Sequence, residues 1–246
     1  MFNFFVLENQ KSSDHYFITG TDYNHIKNVL RMKIGDRFLV SSDGLSDLCE
    51  IEEIDSFQIK CKIIEKDYMD TELSTKIYLF QGLPKSEKME LIIQKCVELG
   101  ANGFYPVEME HCVVKLDEKK KSSKTERWQK IAESAAKQSK RNSIPEVYKP
   151  VSFSDALKIA KEMDLFLVPY ENEEGMKATK ESLSKINKGD KIGILIGPEG
   201  GFSKKEIELC KETGAEIISL GKRILRTETA AITAVSMCML YTEMNV

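Results

Sequence analysis

Ile194-Leu195-Ile196-Gly197-Pro198-Glu199-Gly200-Gly201-Phe202-Ser203 and Ile217-Ile218-Ser219-Leu220-Gly221-Lys222-Arg223-Ile224-Leu225-Arg226-Thr227-Glu228-Thr229-Ala230 share one pattern. Each opens on an apolar run that reads as a strand, breaks into a glycine-bearing loop, and passes into a helix-like segment. Ligands of open α/β sheets bind outside the carboxyl ends of strands. Two such loops in succession therefore predict a small-cofactor site.

Neither loop carries a phosphate fingerprint. The first is not GxxxxGK[ST] and not GxGxxG, so neither a P-loop nor a dinucleotide site is implied. A backbone argument remains: adjacent glycines let the main chain approach a ligand closely, and Ser203 is placed to cap the following helix. An ordinary strand-to-helix turn is the plain alternative. The second loop sets Lys222, Arg223 and Arg226 around Ile224 and Leu225, an apolar pair able to flank a flat ring while backbone groups read its edge. Arg226 and Glu228 lie just before a helix expected from about Thr229 to Tyr241. A solvated ion pair at that helix start is the simpler reading of both.

Upstream of these loops the chain alternates strand and helix from Lys76. Ile77 to Phe80 reads as a strand and Gly82-Leu83-Pro84 as a turn. Ser86 is then expected to cap a helix whose apolar face is Met89, Ile92, Ile93, Cys96, Val97 and Leu99, stopped by Gly100. Phe104 to Val107, Leu165 to Val168, Ile192 to Ile196 and Glu216 to Leu220 are further strands. Lys115 to Lys124 reads as a surface connection and Arg127 to Lys140 as an amphipathic helix. This order predicts a mostly parallel, helix-covered sheet, hence the α/β class. Residues 1–70 differ. Phe2 to Val6, His15 to Ile18, Asp36 to Val40, Asp47 to Ile54 and Gln58 to Ile64 are short strand candidates, with helical spacing over Asp22 to Met32, which suggests a small barrel. The polar stretch Lys66 to Thr75 marks the boundary.

Composition narrows the classes. The chain has 246 residues and a net charge of −3, enough for one large or two modest domains, with no global pull toward nucleic acid. Locally the cations cluster: Lys27, Arg31, Lys33 and Arg37; Lys85 and Lys88; Lys137, Lys140 and Arg141. Separate basic clusters on a mildly acidic protein suit a phosphate backbone, although any one lysine is more simply a solvated one. Six scattered cysteines without a CxxC pair, and no leader-like N-terminus, suggest reduced thiols in the cytoplasm. No run is long enough for a membrane span, and His15, His25 and His111 lack ligand spacing, so no metal is expected.

Several of these stretches together resemble one family. His25-Ile26-Lys27-Asn28-Val29-Leu30-Arg31, Gly82-Leu83-Pro84-Lys85, Gln94 to Gly100, Glu133 to Ser139, Ile196 to Phe202 and Leu220 to Ala230 are similar, in order, to the signatures of the bacterial 16S ribosomal RNA uridine-N3 methyltransferases of the SPOUT superfamily. The likeness spans nearly the whole chain. It implies a PUA-like β-barrel over residues 1–70 that binds RNA, and a SPOUT α/β domain over residues 71–246 with a C-terminal deep trefoil knot, a rare exception to unthreaded connections. It further implies S-adenosyl-L-methionine as cofactor, a homodimer, and 16S rRNA of the assembled small ribosomal subunit as partner, with neither DNA nor membrane. Carried over by motif, the cofactor would meet Ile196, Gly197, Pro198, Glu199, Gly200, Gly201, Leu220, Gly221, Arg223, Ile224, Leu225 and Ala230, with the turn after Val168 as a third wall. RNA would meet His25, Lys27, Arg31, Lys85, Lys88, Lys137 and Arg141.

The reaction so implied is methyl transfer to N3 of a uracil at the decoding centre. N3 must lose a proton, so the site has to stabilise a developing anion, and the base must leave its stack to expose its Watson–Crick edge. Arg226 is expected to stabilise charge on the uracil carbonyls or to steer the RNA, Glu228 to accept the proton or orient Arg226, and Glu199 is a second candidate for the base or for substrate orientation. Three alternatives stand beside this: a SPOUT enzyme acting on a ribose 2′-oxygen or another base, a non-catalytic RNA-binding protein, and a nucleotide-binding α/β protein.

Overall fold

Period-two alternation near the N-terminus builds a five-stranded sheet from β1 (Asn3–Phe5), β2 (His15–Thr19), β3 (Arg37–Ser42), β4 (Leu45–Ile54) and β5 (Gln58–Glu65), with α1 (Gly20–Asn24) and a π-helical turn, His25–Leu30, between β2 and β3. The strand order is β1-β3-β4-β5-β2; β1 runs parallel to β3, and the other pairs are antiparallel. Register shifts at Leu48/Cys49 and Ile51/Glu53 interrupt the β4–β5 ladder, and such bulges bend a sheet. The result is a half-barrel around Phe4, Tyr16, Ile18, Ile26, Phe38 and Ile59.

This computed structural model describes residues 1–171 and 175–246. They form two units, Met1–Glu72 with Ala136–Ile144, and Leu73–Ala135 with Pro145–Val246. The first unit thus includes a segment distant in sequence, and one residue explains why it stays. Glu72 accepts hydrogen bonds from Arg141 Nε at 3.1 Å, from the Arg141 Nη2, and from the backbone N–H groups of Asn142 at 3.0 Å and Ser143 at 3.3 Å. Arg141 is only 2% exposed, which corrects its expected role: a guanidinium buried on Glu72 offers no charge to an RNA phosphate. Lys137 Nζ is drawn to Asp22, at 3.0 Å.

The second unit holds β6 (Lys76–Gly82), α2 (Lys88–Glu98), β7 (Ala101–Glu108), α3 (Glu118–Ser139), β8 (Glu146–Val147), β9 (Val151–Ser152), α4 (Phe153–Ala160), β10 (Leu165–Pro169), α5 (Lys177–Leu183), β11 (Lys191–Ile196), α6 (Lys204–Glu212), β12 (Glu216–Ile218) and α7 (Thr227–Asn245). The order is β12-β10-β11-β6-β7-β8, with β9 also on β7, and every pair is parallel. Burial on both faces explains the continuous apolar runs of β10 and β11. From the edge strand β12 the chain returns to α7, which packs on α2, β6 and β11. This return is the passage that the implied trefoil knot requires.

Three local expectations shift. Ser86 does not cap α2: the cap position is Glu87, without a side-chain bond, and Ser86 takes a left-handed φ of 58°. The lysine-rich connection is instead the first turns of α3, where Asp117 Oδ1 accepts from the Lys120 N–H at 2.8 Å, a capping bond that lets lysine, a good helix former, start the helix earlier. The last helix begins at Thr227 and runs to Asn245.

Burial alone pushes the Glu72 pKa up, but the Arg141 guanidinium and the two backbone N–H groups reverse this and hold it below its ordinary 4.5. Because the folded value is the lower one, the stabilisation is present above the unfolded value and lost as pH falls through the folded value. Glu72→Ala, which takes this carboxylate away from the buried Arg141 guanidinium, is expected to cost about 3 kcal/mol in urea denaturation at pH 7. Below the carboxylate range its difference from the unaltered chain shrinks. An unchanged urea midpoint at pH 7 would remove Glu72 from this role.

Candidate cofactor and active site

β11, β10 and β12 are neighbours in the sheet, so the loops that follow them open along one edge. They enclose a cavity of about 800 Å³. Its first wall is Ile196, Gly197, Pro198, Glu199, Gly201 and Phe202; its second is Ser219 through Arg226; its third is Pro169, Tyr170 and Glu171. Thr227 and Ala230 of α7, Lys88 of α2 and Gly175 also line it. Of the expected cofactor residues, Val168 and Gly200 do not line it. Val168 is fully buried within β10, so the third wall begins one residue later, and Gly200 faces His111.

The walls are tied from beneath. Thr227, only 6% exposed, donates its hydroxyl to the Gly197 carbonyl at 2.7 Å and accepts from Gln81 Nε2 at 2.9 Å. Gln81 Nε2 also donates to the Gly82 carbonyl at 2.9 Å. One hydroxyl thus joins the start of α7, the loop after β11 and the end of β6. Thr179 Oγ1 donates to the Ser219 carbonyl at 2.8 Å and accepts from the Ser219 N–H at 3.1 Å, which seats the second loop. Gly221 there has φ +105°, a left-handed backbone that a side chain would strain. Ser203 caps α6 as expected, in a reciprocal box with Glu206. Sequence reading missed Gln81 and Thr227. The available signal was a glutamine ending the apolar strand 77–80, since a buried amide needs partners.

Charges gather at one side of the cavity. Lys88 Nζ lies 3.0 Å from Glu199 Oε1 and 3.3 Å from Glu228 Oε2. The Lys85 N–H also donates to Glu199 Oε1, at 3.0 Å. The bond to Glu199 raises the Lys88 pKa. Burial works to raise Glu199, but Lys88 and the backbone donors hold it below its ordinary value. Glu199 is therefore an ionised brace between the first turn of α2 and the glycine loop. Glu228, one residue into α7, faces the same ammonium from the other side. Lys88, expected to meet RNA, is instead the shared cation of this cluster. Arg226 is exposed on the cavity rim, and among the described residues no carboxylate pairs with it. Exposed Lys222, Arg223 and Ile224 extend the rim, Ile224 at 85%.

His25 and Lys27 belong to the π-helical segment of the first unit and Arg31 is the residue that ends it; all three are exposed. Lys27 Nζ is engaged by the Asp55 carbonyl at 3.0 Å and lies over the Tyr23 ring. Arg31 holds a left-handed φ of 54°. Lys85 is exposed beside Glu199.

Residues 71–239 match an RNA methyltransferase domain family and residues 18–64 an RNA methyltransferase PUA domain family. A ribosomal RNA small subunit methyltransferase E from Bacillus subtilis (strain 168) is 41% identical over 233 residues, 93% of this chain and 91% of its own length. A solved ribosomal RNA small subunit methyltransferase E from Neisseria gonorrhoeae, bound to S-adenosyl methionine, superimposes with TM-score 0.80 at 28% identity, covering 96% of this chain and 95% of its own. A Legionella pneumophila methyltransferase solved with the cofactor SAM does so with TM-score 0.82 at 31% identity and 97% of both chains.

Thr227→Val keeps the shape of the side chain but removes the hydroxyl, leaving the Gly197 carbonyl without its donor. The expected loss is about 1–3 kcal/mol of stability, read by urea denaturation, with Thr227→Ser close to the unaltered chain. Equal stability of the valine variant would show that the tie is not used.

Proposed function

This chain belongs to the RNA methyltransferase family with its PUA domain, and from that premise we propose that it methylates N3 of one uridine of 16S rRNA, at the decoding centre of the assembled small subunit. The observation that carries the reading is the cavity itself: three loops at the carboxyl ends of adjacent strands, with a carboxylate–ammonium cluster beside it and the exposed Arg226 at its rim. The lining fits S-adenosyl-L-methionine. Ile196, Leu220, Leu225 and Ala230 give apolar surface for a flat ring, main-chain groups of two loops lie beside it, and the volume suits a ligand of that size. When bound, this group supplies an electrophilic sulfonium methyl.

The protein's own residues then prepare the nucleophile. The neutral imide of uracil is a poor one, so N3–H must be deprotonated as its lone pair is brought to the methyl. Arg226, exposed on the rim, stabilises the charge spreading onto the uracil carbonyls. Glu228 accepts the N3 proton. Glu199 keeps Lys88 and the α2 turn in place, which makes it a positioning residue in this scheme. His25, Lys27 and Arg31 on the half-barrel, with Lys85 and Lys137, would contact the RNA backbone. A homodimer is proposed from α7, whose mean composition is apolar around the helix: one side packs on α2, β6 and β11, while Leu240 and Met244 stay exposed. Among the described residues no helix is long and apolar enough to cross a membrane, and we place the enzyme with ribosomes in the cytoplasm.

Nucleoside mass spectrometry of 16S rRNA from cells lacking the protein is expected to show one missing N3-methyluridine. Loss of a 2′-O-methyl nucleoside instead would favour a different SPOUT reaction, and an unchanged profile would favour a non-catalytic RNA-binding role. With purified protein, Arg226→Ala is expected to abolish methyl transfer while calorimetry shows S-adenosylmethionine affinity within about twofold. Equal loss of both would refute this division of labour.

A further inference from the structure

Gly200 lies in the glycine-rich loop yet does not line the cavity. A Cβ there would come within 2.8 Å of the His111 Cβ and 3.2 Å of the His111 carbonyl oxygen. The missing side chain makes room for His111. The same histidine reaches the loop a second way: its Nδ1 lies 3.0 Å from the Gly200 carbonyl and 3.3 Å from the Gly201 carbonyl. Carbonyls only accept, so Nδ1 carries the proton and donates. Gly201 is the next residue and does line the cavity.

His111 is held where it can do this. It lies in the turn after β7, which is closed by the Cys112 N–H donating to the Met109 carbonyl at 3.1 Å. The Glu110 N–H donates to Glu206 Oε1 at 2.9 Å, while Glu206 Oε2 accepts from the Ser203 N–H at 2.8 Å. One carboxylate therefore fastens the β7 turn and the end of the glycine loop together. Within the loop the Gly201 N–H donates to the Pro198 carbonyl at 2.9 Å. The loop is pinned in front by its own turn and behind by His111 and Glu206.

We propose that His111 is a positioning residue for the cofactor: by donating Nδ1–H to the Gly200 and Gly201 carbonyls and packing into the space that Gly200 leaves, it holds the 198–201 turn in its binding shape. This rests on the reading of the cavity as an S-adenosylmethionine site. A loop held in advance binds with less ordering cost than one that must be fixed by the ligand. His111 is exposed on its outer side, so its replacement touches this contact and little of the core.

The test is calorimetric titration of S-adenosylmethionine into the full-length protein and three variants. His111→Ala is expected to weaken binding about fivefold, the scale of one hydrogen bond. His111→Asn places its side-chain N–H where Nδ1 was and is expected to recover most of the affinity. His111→Gln places its N–H at the position of Nε2 and is expected to stay weak. Alanine binding as tightly as histidine, or glutamine recovering where asparagine does not, would overturn the proposal. Failure of the unaltered protein to bind S-adenosylmethionine would overturn the cofactor reading itself, and this inference with it.

Discussion

The hydroxyl of Thr227 is the point on which the cavity depends. It is the first residue of α7, it donates to the Gly197 carbonyl, and it accepts from the buried amide of Gln81. Three segments that meet only in three dimensions are joined there: the end of β6, the loop after β11, and the helix the chain enters after leaving β12. The interior is a poor place for an unpaired carbonyl or amide. The Gly197 carbonyl therefore gains this donor, and the Gln81 amide its second acceptor, only once the chain has completed its return from β12. The walls of the cavity are consequences of that closure.

Charge is distributed around the closure in a useful order. Lys88 stands between Glu199 and Glu228, and the Lys85 backbone adds a donor to Glu199. Glu199 is thus committed to bracing, whereas Glu228 keeps a position at the start of α7 next to Arg226. A site proposed to take a proton from an imide and stabilise the resulting anion needs such a division between carboxylates with different surroundings. In the proposed reaction Glu228 is the proton acceptor and Arg226 the partner for the uracil.

Much of this was legible in order along the chain, because periodicity is local. The runs at 165–168 and 192–196 are strands, the face Met89-Ile92-Ile93-Cys96-Val97 is buried, and Ser203 caps its helix. The two glycine-bearing loops do open side by side. What escaped depends on distance in sequence. Gln81 and Thr227 are 146 residues apart, and Glu72 and Arg141 are 69 apart, so no window could pair them. A basic residue looks the same in a string whether it is solvated, like Arg31, or buried, like Arg141. Gly200 was read as room for a ligand, and it is room for a histidine that carried no recognisable spacing.

The most direct measurement is a crystal structure of the protein with saturating S-adenosylmethionine. The account predicts the ligand's ring between Ile196–Gly201 and Leu220–Leu225, against Pro169–Glu171, with the methyl group turned toward the side of the cavity that holds Arg226. Density for the ligand at another place, or an empty cavity with the loops in the same positions, would contradict it.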